Sequence, residues 1–178
     1  MSTLKVNSIL DTSGNDTVTG KILQVKYTQY DTRSSQSIPA TTVTALDNMS
    51  VTITPSSTNS KILLLAQWNG EFSVLAAAYN SMLSFLRNST YIGAEVTSRN
   101  YGIMTPVVNY YSNDAGSTME AGSWRYLDSP ATTSSITYHG AINIYGAVTM
   151  YHNRTVTDSN TTSFEQGVSS IMAMEIGQ

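Results

Sequence analysis

The sequence predicts an all-β fold, an antiparallel β-sandwich of the jelly-roll type. Three observations point there. Short apolar segments alternate with clusters of Gly, Pro, Asn, Asp and Ser, the spacing of strands and turns. Serine and threonine supply 49 of the 178 residues, beside 11 tyrosines; Thr and Tyr suit a pleated surface and Ser suits turns. Eight or more strands at this length, with little helix, suit a jelly roll.

The most apolar run is 61–68, KILLLAQW. A short continuous apolar run bounded by turn signals reads as a strand buried on both faces. The turn PSSTNS precedes it, and before that Met49, Val51 and Ile53 alternate with polar residues as one face of a half-buried strand. The expectation is a central β-hairpin whose second arm needs two covers, its own sandwich core and a partner subunit.

Residues 1–20 read as a separate N-terminal arm, with 21–178 as the sandwich domain. Leu4, Val6, Ile9 and Leu10 are too few to bury one another, so the arm reads either as a frayed terminus or as an attachment element docking on a neighbouring chain. The next strand is KILQVKYTQY (21–30), with Leu23, Val25 and Tyr27 on one face. A polar loop follows at 31–37 and a short strand at 43–46. After Gly70, Val74 to Ala78 read as a loop or one helical turn. Strands are expected at 82–87, 91–96 and 123–128, and an edge strand interrupted by Pro106 within 103–111. Ile136, Tyr138, Ile142 and Ile144 share a face of the cleanest long strand. A further short stretch runs 147–152, and Val168, Ser170, Met172, Met174 and Ile176 are in phase along the last strand.

Composition excludes several functions. There is no cysteine, hence no disulfide, thiolate catalysis or zinc-thiolate site. A formal net charge of −3 without a basic cluster argues against nucleic acid as a partner. No run reaches the length of a membrane span, and the opening residues lack a signal-peptide pattern, so no membrane insertion is expected. Charged residues make up only 12%, which suits a protein held inside an assembly or one that faces the extracellular world. His139 and His152 lack metal-ligand spacing, and Glu71, Glu95 and Glu120 read as solvated carboxylates. No nucleophile elbow, P-loop or dinucleotide fingerprint is present, so no enzyme activity, cofactor or metal is expected. Trp68, Trp124, Tyr126 and Tyr138 read as core.

Five segments carry a family resemblance. The opening MSTLKVNSILDTSG, the central SVTITPSSTNSKILLLAQWNGE, the hairpin FLRNSTYIG, the pair YLDSPATTSSITYHGAINI and the closing GVSSIMAMEIGQ resemble tail-fibre-like virion proteins of tailed bacteriophages, particularly marine ones. Residues between Glu95 and Ser123 match that pattern least. The resemblance implies a jelly-roll domain similar to C1q and tumour-necrosis-factor heads, built as a homotrimer. It also implies assembly in the host cytoplasm into a virion surface component without catalysis. Two roles follow: a fibre or knob contacting a host glycan or protein, or a capsid decoration or head-fibre protein stabilising the capsid. For the first, Tyr101, Tyr110, Tyr111 and Asn113 are the candidate host contacts, since they sit in the variable stretch and supply rings and hydrogen bonds; the rival reading is that the tyrosines fill the sandwich or the trimer seam.

Overall fold

A computed structural model describes residues 20–74, 79–107 and 116–177. Among them the regular elements are strands only: β1 Ile22–Tyr30, β2 Ser34–Ile38, β3 Thr44–Ile53, β4 Lys61–Phe72, β5 Ser81–Arg87, β6 Thr90–Ile92, β7 Glu120–Asp128, β8 Ile136–Ile144, β9 Val148–His152 and β10 Ser169–Ile176. The arm 1–19 lies outside the described residues, as do the alanines of 75–78 and the stretch 108–115.

Two antiparallel sheets face each other in a sandwich-like arrangement. The larger has the order β1-β10-β4-β9-β2, with β7 on the opposite edge of β4; the smaller runs β3-β8-β5-β6. Strand β4 changes partner along its length: residues 61–67 pair with β10 and residues 70–72 with β9, while β7 follows the other edge from 62 to 70. Gly70 stands at that switch, where a β-carbon would collide with the Tyr151 carbonyl and the Trp68 ring.

The core lies between the sheets. Ile62, Leu64, Ala66 and Trp68 of β4 meet Met49, Val51 and Ile53 of β3, Leu83 and Phe85 of β5, and Ile136, Tyr138, Ile142 and Ile144 of β8. Each fully buried aliphatic side chain contributes about 1.5–3 kcal/mol by leaving water. Trp124 is buried too and donates its Nε1–H to the Ser84 carbonyl at 2.8 Å; Tyr126 packs on the core only in part.

Several expectations change. The predicted central hairpin does not exist, because β3 belongs to the smaller sheet and β4 to the larger, and residues 54–60 cross between them. The YLDSPATTSSITYHGAINI pair likewise divides, β7 into one sheet and β8 into the other. Run 61–68 is not buried on both faces; Leu63 and Leu65 are half-exposed. Residues 34–38, expected as loop, form β2, which pairs with β9; its SSQSI sequence has little apolar signal because only Ile38 is deeply buried. The short strand expected at 43–46 is the start of the ten-residue β3, whose register shifts between Ala45 and Ser50 around Asn48 at φ 61°. The edge strand expected at 103–111 is reduced, in its described part, to isolated bridges at Met104 and Val107. FLRNSTYIG does form the β5–β6 hairpin, with Phe85 opposite Ile92.

Candidate functional site

Strands β1, β10, β4 and β7 lie side by side, and their registers align apolar residues on the outer face. One row runs Val25, Met174, Leu63, Leu127; the next runs Tyr27, Met172, Leu65, Arg125. Val25 is 49% exposed, Tyr27 54% and Leu127 47%. Leu23 and Ile22 extend the patch at the β1 end beside Ile176. Strands about 4.8 Å apart and same-face residues about 6.8 Å apart give this face roughly 400 Å². A contiguous apolar patch of that size matches the largest found on a typical monomer, which is often functional. The set Val168, Ser170, Met172, Met174 and Ile176 was rightly in phase, yet the buried phase of β10 is the other one: Ser169, Ile171, Ala173 and Glu175.

Glu175 is therefore an ionisable group inside the sandwich, fully buried. Its Oε1 accepts from the Ser56 backbone N–H at 2.7 Å and from the hydroxyls of Ser56 and Ser60 at 2.6 and 2.7 Å. Its Oε2 accepts from Gln24 Nε2 at 2.6 Å. Burial alone would raise its pKa, but the donated hydrogen bonds prevail and hold it at about 2. The carboxylate thus fastens the 54–60 crossover to β10 and β1.

A second buried polar cluster sits where β9 meets β4. The Trp68 indole N–H donates to His152 Nδ1 at 3.1 Å, so Nε2 carries the imidazole proton and faces Gln36 Oε1 at 3.3 Å. Burial pushes the His152 pKa down to about 4, so the ring is neutral at pH 7. Glu71 and Glu120, expected in solvent, are buried instead; Glu71 accepts from the Val156 N–H at 2.5 Å and Glu120 from the Phe72 N–H at 3.2 Å. Glu71 thus holds the loop after β9 and Glu120 the end of β4, and no group of three His, Cys, Asp or Glu among the described residues is arranged to hold a metal.

At the opposite edge of the larger sheet, β7 and the β5–β6 hairpin bound an open groove of about 530 Å³. Asp128 is its fixed point. The Tyr138 hydroxyl donates to Asp128 Oδ2 at 2.6 Å, and Arg87 Nη1 reaches both carboxylate oxygens at 3.2 Å. Burial first, then the bond to Asp128, push the Tyr138 hydroxyl pKa well up, so it stays protonated. A hollow of about 420 Å³ lies between Leu65, Arg125 and Ile103, continuous with the apolar face.

Of the expected host contacts, only Tyr101 lies among the described residues. It is half-buried and meets Tyr91 edge-on, ring centroids 5.0 Å apart, beside a hollow of about 240 Å³ shared with Asn143 and Tyr145. Tyr110, Tyr111 and Asn113 lie outside the described residues, as do Leu4, Val6, Ile9 and Leu10. The sequence reading missed the Arg87–Asp128–Tyr138 cluster, whose members come from three strands of two sheets. It also passed over Glu175, though a lone carboxylate within IMAMEI was a signal.

These features define an all-β sandwich with an inside-out patch, apolar on one outer face and ionic within. Compared with known proteins, the chain matches no family model and no curated protein. Among the described residues no helix is long and apolar enough to cross a membrane.

Proposed function

We propose that this chain is a phage virion structural protein, a homotrimeric jelly-roll knob of the tail-fibre type that takes part in host attachment. The observation that carries the reading is the apolar outer face of β1, β10, β4 and β7. An isolated protomer leaves Val25, Tyr27 and Leu127 about half in water, and a second and third copy would cover them. The topology supports the jelly-roll assignment: the chain passes between the sheets at β2 to β3, β3 to β4, β4 to β5, β6 to β7, β7 to β8 and β8 to β9. The number three and the virion setting rest on the five segments that resemble tail-fibre-like proteins.

Sedimentation equilibrium tests the assembly. The expected mass is three times the 19.3 kDa chain mass, falling to a folded single chain in Leu63→Arg. A stable wild-type monomer at micromolar concentration would overturn the trimer. Locating the chain in a reconstruction of the particle tests the role: density at a fibre or knob supports it, and density on the capsid lattice would replace host attachment with capsid decoration.

A further inference from the structure

The groove between β7 and the β5–β6 hairpin shares Leu127 with the apolar face, but its polar lining has the makings of a ligand site that the face does not explain. Its floor is rigid. Asp128 is 6% exposed and held by Tyr138 and Arg87, so its carboxylate cannot swing away. Both hydrogen bonds of the Arg87–Asp128 pair use Nη1. Nη2 and Nε make no hydrogen bond among the described residues, and Arg87 lines the groove. Glu95 stands exposed on its other side.

Two tyrosines complete the walls. Tyr91 is propped edge-on by Tyr101, and the tight path of Gly93, at φ +152°, lets the Tyr91 ring fold over the backbone; a β-carbon there would lie 2.6 Å from its hydroxyl. Tyr126 projects from β7, half-buried against the core. Tyr101 thus acts here by fixing Tyr91, while lining a different hollow itself.

We propose that this groove binds a neutral saccharide. Vicinal hydroxyls both donate and accept, so they suit the guanidinium of Arg87 and the carboxylate of Glu95 that line one groove, and a pyranose C–H face suits an aromatic wall. An anion is disfavoured, because Asp128 and Glu95 outnumber Arg87. An apolar ligand would strand the remaining N–H groups of Arg87 away from water. This deepens the host-attachment reading by naming the class of surface molecule, and it rests on that reading for its biological role.

The test is saturation-transfer NMR on the full chain with methyl α-glucoside, methyl α-galactoside and methyl α-mannoside as neutral probes. Methyl glucuronide and a Gly-Ser-Gly peptide serve as contrasts. At least one neutral glycoside should receive saturation. Glu95→Ala and Arg87→Lys should each weaken it about tenfold, the effect of losing a hydrogen bond to a charged group. Glu95 is on an exposed loop, so its variant decides the matter if Arg87→Lys fails to fold. Silence from all three glycosides, equal transfer in both variants, or binding only of the glucuronide or the peptide would overturn the proposal. Sedimentation of the same samples separates the two readings: a trimer deaf to sugars sinks only the saccharide site, and a sugar-binding monomer sinks only the trimer.

Discussion

The two faces of the larger sheet exchange their usual contents near β10. Outward, Met172, Met174 and the flanking Val25, Tyr27, Leu63 and Leu127 form an apolar surface. Inward, among Ile62, Leu64 and Ala173, sits the carboxylate of Glu175 with four hydrogen bonds. The difference teaches that the two faces answer to different demands. The inner face is complete within one chain, because the serines of the crossover satisfy the charge where it lies. The outer face leaves Val25, Tyr27 and Leu127 about half in water.

The largest effect should come from removing the inner charge. Glu175→Ala leaves Ser56 and Ser60 without their acceptor and Gln24 with only the Thr54 carbonyl, and a loss of about 3 kcal/mol is expected in urea unfolding. Glu175→Gln, which keeps acceptor capacity, should lose less. A change below about 1 kcal/mol for the alanine variant would show that water replaces the carboxylate freely.

Neighbouring leucines on β4 sharpen the contrast. Leu64 is fully buried and Leu65 half-exposed. Leu64→Ala should cost about 3 kcal/mol at any protein concentration. Leu65→Ala should cost less than about 1 kcal/mol in the dilute protomer, with a larger loss emerging as concentration rises, since association stabilises the fold by mass action. Concentration-independent costs for both would remove the outer face from the assembly.

Acid distinguishes the two buried polar clusters. The folded His152 pKa, about 4, lies below its ordinary 6.5. Its neutral, buried state is therefore fully stabilising above pH 6.5 and loses up to about 3 kcal/mol as pH falls from 6.5 to 4. The Glu175 pKa, about 2, also lies below its ordinary 4.5. Its contribution is present above pH 4.5 and is lost as pH falls toward 2. The urea midpoint should thus fall in two stages, the first flattened in His152→Gln and the second in Glu175→Gln. A single stage unaffected by His152→Gln would detach the histidine from acid stability.

The smallest effect belongs to the exposed hydroxyl pair Thr52–Thr137, which bridges β3 and β8 at 2.9 Å. Thr52→Val should move stability by no more than about 0.5 kcal/mol, since the hydroxyls exchange one another for water. A larger loss would mean that the smaller sheet's outer face carries stability of its own.

What the sequence determined by itself was periodicity. Alternation in 136–144 and 169–176 and the hairpin signal of RNST were enough to place β8, β10 and β5–β6, because side-chain period and turn chemistry are local properties. Locality also explains Asn48, Asn88 and Asn153, which take positive φ at a bulge or turn. Which phase of an alternating strand faces the core was not decided locally. In β10 both phases carry apolar residues, and only pairing with β4 turns Glu175 inward to meet serines 115 and 119 positions away in the chain. The split of β3 from β4 and of β7 from β8 was likewise settled by sheet assembly, since a polar connection of seven residues spans the gap between sheets as readily as it closes a hairpin. The groove existed nowhere in the sequence: Arg87, Asp128 and Tyr138 lie on strands whose approach is a consequence of the two sheets packing face to face.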